Sequence, residues 1–185
     1  MTASAHAETF LQKIQDKSFV VGIIGLGYVG LPLALAFVEK GFRVIGFDVD
    51  PRKVVELEAG RCYIKHLSAE RVQAAMKTGR LHATTDFERR GEPDAVLIAG
   101  PTPLTPQREP DMSYVESSTR LIKNKLRPGQ LVVLESTTYP GTTDELVKGI
   151  LEETGLVGSK AFFLAFSPER EDPGNKSFHT ATIPK

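Results

Sequence analysis

The sequence FVVGIIGLGYVGLPLALAFV, residues 19–38, decides the fold. Its first six residues, 19–24, form an apolar run with the length of a buried strand, and the apolar pattern over 31–40 has the length of a helix. Between the two runs lies Gly-X-Gly-X-X-Gly, with glycine at positions 25, 27 and 30. A strand, a glycine-rich turn and a helix in this order predict a unit that binds a dinucleotide.

The three glycines have different expected roles. Gly25 permits the tight turn, Gly27 lets the backbone approach a pyrophosphate, and Gly30 lets the helix pack closely on the strand. Tyr28 and Val29 lie between the last two glycines, and we expect them to contact the cofactor where the helix N-terminus faces the phosphates. The alternative is a glycine-rich turn with a purely structural role.

An acidic residue follows the next predicted strand. Asp48 comes directly after the apolar run 43–47 and 18 residues after Gly30, where an acid accepts the ribose hydroxyls of the adenosine half. Because an acid there repels a 2′-phosphate, NAD is the predicted cofactor rather than NADP. Arg52 and Lys53 keep NADP open, since a nearby base tolerates a phosphate. A helix N-cap is the alternative role for Asp48.

Apolar runs and helical patterns alternate along the rest of the chain. Further strands are predicted at 43–47, 81–84, 94–99, 131–134 and 161–166, and further helices at 51–59, 68–77, 113–125 and 142–153. This alternation predicts an α/β fold with a Rossmann-type, doubly wound parallel sheet in three αβα layers. The predicted NAD-binding domain covers 19–185 after an N-terminal extension, 1–18, in which the stretch 8–14 is either a short amphipathic helix or a frayed tail.

The composition is that of an ordinary soluble protein, with 41% hydrophobic and 25% charged residues among 185. Lys plus Arg and Asp plus Glu balance at 23 each, so we expect neither a nucleic-acid nor a membrane partner. Glycines and Pro32 within the nearly uncharged stretch 19–38 argue against a membrane span. The single cysteine, Cys62, excludes an internal disulfide and fits a reducing cytoplasm, the predicted location.

Four segments, in the same order, resemble the UDP-glucose/GDP-mannose dehydrogenase family. They are IGLGYVGLPLA (24–34), GFDVD (46–50) with Lys53 and Val54 behind it, PTPLT (101–105) with DMSYV (111–115), and ESTTYPGTT (135–143) with SPER (167–170). The resemblance spans about residues 20–185 and places Lys53 at the cofactor. It implies an NAD-dependent oxidoreductase of polysaccharide biosynthesis, which oxidises the C6 hydroxyl of a nucleotide sugar to a carboxylate.

The resemblance also implies roles for residues that follow the later strands. Glu169 matches a glutamate that positions or activates the water for thioester hydrolysis. Thr137 matches a threonine that shares this water and contacts the nicotinamide side, and Thr102 lies where the chain passes the cofactor. All three follow carboxyl ends of strands, where open α/β sheets bind ligands. The alternatives are a solvated loop carboxylate for Glu169 and hydroxyls that cap the next turn for the threonines.

Departures from the family pattern narrow these expectations. The sequence 170–175 resembles the branch that oxidises N-acetylated sugars such as UDP-N-acetylglucosamine, with UDP-glucose as the alternative substrate. The family's nucleophilic cysteine and its helper residues belong to central and C-terminal regions that have no match here, and Cys62 lies outside such a context. We therefore expect residues 1–185 to bind NAD without turnover, and the complete enzyme to be a homo-oligomer. Gly100 stands at a position, just before Pro-Thr-Pro, where the family often has cysteine or valine, and the sequence gives no evident reason for the glycine.

Two functions from other classes remain open. One is a standalone NAD-binding module or sensor without chemistry of its own. The other is a different Rossmann oxidoreductase, such as a relative of the 3-hydroxyacid dehydrogenases, which also begin with Gly-X-Gly-X-X-Gly. The segment 135–143 argues against this last relative.

Overall fold

The strands of the computed structural model, which describes residues 3–65 and 67–168, form one parallel sheet. Within these residues the strands are β1 (Val20–Ile24), β2 (Arg43–Phe47), β3 (Leu81–Thr84), β4 (Ala95–Ile98), β5 (Leu131–Leu134) and β6 (Phe163–Phe166). They lie in the order β3-β2-β1-β4-β5-β6, and all pairs are parallel. From β1 the strands β2 and β3 are added on one side of the sheet, and β4, β5 and β6 are added on the other side. The boundary between β1 and β4 is therefore the topological switch point, where open α/β sheets bind ligands.

Helices cover both faces of this sheet. They are α1 (Ala3–Gln15), α2 (Gly30–Glu39), α3 (Pro51–Glu58), α4 (Ala69–Lys77), α5 (Ser113–Lys123) and α6 (Lys148–Glu152), with a 3₁₀-helix at Phe87–Gly91 and a π-helix at Thr142–Val147. Val21 and Ile23 of β1 pack with α2 and α4, whereas Ile24 packs with α5 and α6 on the other face. The predicted doubly wound, three-layer αβα fold is confirmed. No helix in 3–65 or 67–168 is long and apolar enough to cross a membrane.

Two predicted elements differ from the structure near the C-terminal strand. The predicted helix 142–153 begins as a π-helix after Gly141, whose φ of 95° is left-handed, and becomes α-helical only at Lys148. Val147 and Leu151 are both buried, and their spacing of four residues fits a π-helix as well as an α-helix, so the apolar pattern does not distinguish the two kinds of helix. Strand β6 is shorter than predicted because the Ala161 N–H donates to Val157 in the preceding turn, at 2.8 Å.

The N-terminal extension forms α1, which packs on the sheet edge where the strands begin. The Phe10 ring meets the Phe19 ring edge-on, with centroids 4.4 Å apart. Asp94 Oδ1 accepts hydrogen bonds from Lys13 Nζ at 2.7 Å and from Arg127 at 3.0 Å. Burial acts to raise the pKa of Asp94, but the hydrogen bonds from Lys13, the Val20 N–H and Arg127, together with the charge of Lys13, outweigh burial and lower the pKa. Of the two predicted alternatives for the extension, the helix is confirmed.

Candidate functional site

The carboxyl ends of neighbouring strands lie side by side at one edge of the sheet. The register pairs Ile24 of β1 with Phe47 of β2 on one side and with Ile98 of β4 on the other. Gly25 and Asp48, the next residues along the chain, therefore meet at this edge. The Gly25 N–H donates to the Phe47 carbonyl at 2.8 Å and fixes the start of the glycine turn. The edge brings together the residues that the fingerprint predicts.

A cleft of about 340 Å³ opens at this edge, between the β1–α2 turn and the ends of β2 and β4. Its lining includes most of the predicted cofactor residues, namely Gly25, Gly27, Tyr28, Val29, Asp48 and Lys53. Gly30 is buried where α2 begins, next to the turn. Thr102 and Thr137 follow β4 and β5 at the same edge but do not line the cleft. Glu169 lies outside the described residues.

The three glycines of the turn are needed for different structural reasons. Gly25 has a φ of 95°, and a Cβ there would lie 2.9 Å from the Ala99 carbonyl oxygen. A Cβ on Gly30 would overlap the Gly25 carbonyl oxygen. Gly27 has neither constraint, because its φ is not left-handed and, apart from its chain neighbours, no atom of the described residues lies within 4 Å of an added Cβ. Packing thus explains two of the glycines, and the open space at Gly27 fits a phosphate approaching the backbone.

Asp48 is 3% exposed, and both of its carboxylate oxygens accept hydrogen bonds. Its Oδ2 accepts from the Leu26 N–H at 2.9 Å and from Lys53 Nζ at 2.8 Å, and its Oδ1 accepts from the Asp50 N–H at 2.9 Å. The helix cap is a different residue, because Asp50 accepts the Arg52 N–H at the start of α3 at 3.0 Å. Oδ1 keeps one acceptor position, and the Lys53 ammonium has donors beyond the ion pair.

Leu26 holds the glycine turn in place through hydrogen bonds of its backbone, a role that the glycine pattern does not predict. Its N–H donates to Asp48, and its carbonyl accepts the Tyr63 hydroxyl at 2.5 Å. Its buried side chain fills the space above Gly46, where a Cβ would lie 2.6 Å from Leu26 Cδ2. Because a trans peptide points its C=O and N–H in opposite directions, this anchor turns the Gly27 N–H away from Tyr63. Gly46, a glycine inside a strand, is the sequence signal for this contact.

Tyr63 holds the turn from the loop after α3. Burial raises the pKa of its hydroxyl, and the charge of Asp48 adds to the effect, so the hydroxyl stays a donor. We expect Tyr63→Phe to lower the free energy of unfolding by about 1 kcal/mol, because the Leu26 carbonyl loses its donor. NAD affinity should fall roughly fivefold, since the Gly27 N–H is then less preorganised. Urea unfolding and calorimetry measure the two effects. Unchanged NAD affinity would make the hydroxyl purely structural.

The two predicted threonines lie in the loops that follow β4 and β5. Thr102 is partly buried and Thr137 is exposed, and neither hydroxyl bonds to a residue that the structure describes. The alternative that they cap the next turn therefore finds no support in this part of the chain. It is Ser136 that connects the ends of β5 and β4, because its hydroxyl donates to the Gly100 carbonyl at 3.0 Å.

Comparison with known proteins identifies the domain. The sequence profile of the UDP-glucose/GDP-mannose dehydrogenase family, NAD binding domain, matches residues 19–185. This chain belongs to that family. The family's NAD-binding domain is thus the unit described here, NAD is its cofactor, and the resemblance seen in the sequence is confirmed. Membership places the chain in this family rather than with the 3-hydroxyacid dehydrogenases.

Three relatives illustrate the match. UDP-N-acetyl-D-mannosamine dehydrogenase of Escherichia coli (strain K12) is 40% identical over 162 residues, which cover 83% of this chain and 38% of that protein. UDP-N-acetyl-D-glucosamine 6-dehydrogenase of Salmonella typhi is 35% identical over 167 residues, covering 89% and 38%. The structure of UDP-D-ManNAc dehydrogenase from Pyrococcus horikoshii gives a TM-score of 0.80 at 33% identity, covering 84% and 37%. The chain spans about 38% of the length of these curated relatives.

Proposed function

We propose that this domain holds NAD for the oxidation of the C6 hydroxyl of a UDP-N-acetylhexosamine to a carboxylate. The observation that carries the proposal is the open space at Gly27 beside the paired Asp48 and Lys53. The relatives named above act on UDP-N-acetyl sugars, which supports this substrate class. The sequence 170–175 supports the same branch. UDP-glucose is the alternative substrate.

In this proposal the pyrophosphate lies over the turn formed by Gly25, Gly27, Tyr28 and Val29. The backbone N–H groups at the start of α2 point towards it, and the positive end of the helix stabilises its charge. Gly30 contributes indirectly, since a side chain there would push α2 away from the turn. The Gly27 N–H, oriented by the anchored Leu26 peptide, would donate to a phosphate oxygen.

The adenosine ribose then lies beside the Asp48–Lys53 ion pair. One hydroxyl donates to the remaining acceptor position of Asp48 Oδ1, and the other accepts from the Lys53 ammonium, whose side chain is 33% exposed. Asp48 alone would thus not bind both hydroxyls, because Oδ2 is occupied by two donors. Val49, 70% exposed at the rim of the cleft, offers an apolar contact for the adenine.

The same contacts favour NAD over NADP. A 2′-phosphate would face the buried carboxylate of Asp48, and like charges in contact cost several kcal/mol. The two bases that could offset this repulsion are already paired. Lys53 binds Asp48 at 2.8 Å, and the Arg52 guanidinium binds both carboxylate oxygens of Asp50, at 2.9 and 3.0 Å. These ion pairs support the assignment that the sequence left open.

The chemistry of the complete enzyme is part of the proposal. NAD, held by the glycine turn and the Asp48–Lys53 pair, would supply the hydride acceptor for oxidation of the sugar carbon. We assign Thr137 and Thr102, whose hydroxyls lack partners in the described chain, to the nicotinamide half. Glu169 is assigned to the water that releases the acid, as a general base or an orienting carboxylate. The thiol that holds the sugar aldehyde is proposed to come from another part of the enzyme, since Cys62 is partly buried beside the Ile64 carbonyl.

The reaction is tested in a protein of the relatives' full length by NADH absorbance. Its substrates are UDP-N-acetylglucosamine, UDP-N-acetylmannosamine and UDP-glucose. We expect steady NADH formation, about two per sugar, with one of the N-acetylated sugars preferred. A preference for UDP-glucose would move the domain to that branch. Tight NAD binding without any NADH would instead support an NAD-binding protein without catalysis.

Glu169→Gln tests the water-handling role in the same full-length protein. Thioester hydrolysis should slow by a factor on the order of 100, because a general base contributes about that much. A covalent acyl-enzyme should then accumulate and appear in the intact mass. Unaltered turnover would leave Glu169 as a solvated loop carboxylate.

We also propose that the complete enzyme is a homo-oligomer of the cytoplasm. Its location is supported by the free thiol of Cys62, the sole cysteine of the chain, which suits a reducing compartment. Oligomerisation is supported by the family resemblance. Light scattering of the full-length protein measures its mass in solution, and a monomeric mass would contradict that part.

A further inference from the structure

Tyr114, in the first turn of α5, lies against Gly100, which follows β4. A Cβ on residue 100 would overlap the Cε1 and Cδ1 atoms of the Tyr114 ring. Cysteine or valine at position 100 would therefore exclude the ring from this place. The glycine that had no evident reason in the sequence makes room for a tyrosine, and both residues line the cofactor cleft.

The Tyr114 hydroxyl stands over the glycine turn. It lies 3.2 Å from the position that a Cβ on Gly25 would occupy. Burial raises its pKa, and the nearby charge of Asp48 raises it further, so the group stays protonated. No residue within 3–65 or 67–168 forms a hydrogen bond with this hydroxyl. The cleft thus holds a hydroxyl donor without a partner among the described residues, next to the glycine turn.

We propose that Tyr114 contacts NAD directly, its hydroxyl donating to the dinucleotide on the nicotinamide side of the pyrophosphate, an inference that rests on the proposed placement of NAD. The side follows from the topology. Asp48 follows β2 and holds the adenosine ribose, whereas Gly100 follows β4, on the other side of β1. A dinucleotide that crosses the switch point from β2 passes Gly25 and then reaches the end of β4.

The test is Tyr114→Phe in the chain 1–185, titrated by calorimetry with NAD, ADP-ribose and AMP. The dissociation constants of NAD and ADP-ribose should rise about tenfold, because a hydrogen bond to a charged or ribose oxygen is lost. AMP, which ends before the nicotinamide ribose, should bind as before. The unfolding temperature without ligand should not change, because the hydroxyl has no partner among the described residues. Tyr139→Phe, which removes the hydroxyl of a half-exposed tyrosine, is the matched control and should change nothing.

The outcomes separate this inference from the proposed function. If the unmodified chain binds NAD and Tyr114→Phe binds it equally well, the Tyr114 contact is overturned while the NAD site stands. An equal loss for AMP would also overturn it, since the contact would then lie on the adenosine side. Failure of the unmodified chain to bind NAD would overturn the proposed placement and this contact together.

Gly100→Ala gives a second, independent test. The added methyl should displace the Tyr114 ring and so lower NAD affinity and the unfolding temperature in the unmodified background. In a Tyr114→Ala background the same change has no ring to displace and should alter neither quantity further. An equal loss of NAD affinity in both backgrounds would show that Gly100 acts without Tyr114, and would contradict the proposal.

Discussion

Gly27→Ala should weaken NAD binding about a hundredfold, roughly 3 kcal/mol, and leave the stability of the fold unchanged. The added methyl would meet no protein atom within 4 Å, and the backbone is not left-handed, so folding incurs no steric cost. The same methyl occupies the space through which a phosphate reaches the Gly27 N–H. Calorimetry with NAD and thermal unfolding without ligand measure the two quantities separately.

Gly30→Ala is the matched comparison, because its methyl acts inside the protein. A Cβ there would overlap the Gly25 carbonyl oxygen. The free energy of unfolding should therefore fall by about 1–3 kcal/mol, with NAD affinity falling as the turn is displaced. Normal NAD affinity in Gly27→Ala would mean that the pyrophosphate does not lie over this turn.

Asp48→Asn should reduce a preference for NAD over NADP from roughly a hundredfold to a few-fold, because the charge that repels a 2′-phosphate is removed. Lys53 loses its ion-pair partner and becomes available to the phosphate. Asparagine is the more informative choice because its single carbonyl oxygen still accepts one of the two N–H groups, whereas Asp48→Ala would leave both the Leu26 and the Asp50 N–H groups without an acceptor. We expect alanine to cost about 3 kcal/mol of folding stability in addition to selectivity.

Calorimetric titration of both variants with NAD and NADP measures the preference, and urea unfolding measures the stability. Asp86→Asn is the control, because Asp86 follows the neighbouring strand β3 and caps the 3₁₀-helix outside the cleft lining. It should keep the preference of the unmodified chain. An unchanged preference in Asp48→Asn would assign cofactor selection to another residue.

The fold and the centre of the site are readable from the sequence because both depend on local patterns. The apolar runs predict which segments become strands, and parallel strands place their carboxyl ends at one edge. Gly27 and Asp48 follow two such strands, so their proximity follows from the topology. Ser68 is a similar case, because it begins the predicted helix 68–77 and its side chain accepts the Arg71 N–H, which caps α4.

The contacts that hold the turn depend on residues distant in sequence, and no local pattern announces them. Tyr63 reaches the carbonyl of Leu26 across 37 positions of the chain. The fit between Tyr114 and Gly100 arises only when α5 packs beside the end of β4. The π-helix after Gly141 buries the same positions that an α-helix would bury, so the sequence does not predict its different hydrogen-bond pattern.

Thr102 and Thr137 lie farther along the chain from the ends of their strands than Gly25 and Asp48 do. Thr102 and Thr137 lie in the loops after β4 and β5, and a few loop residues are enough to carry each side chain out of the cleft lining. The sequence therefore predicts at which edge of the sheet the two threonines lie, but it does not predict where along that edge their side chains are. Their contacts with the nicotinamide half, like the role of Glu169, stay predictions.

Binding of NAD in the cleft between the glycine turn and Asp48 is the central claim, and one calorimetric experiment tests it most directly. The chain 1–185 is titrated with NAD and with NADP under the same conditions. We predict saturable binding of one NAD per chain, with NADP weaker by a factor on the order of 100 because its 2′-phosphate meets the Asp48 carboxylate. Equal affinity for the two dinucleotides, or no saturable binding of NAD, would contradict it.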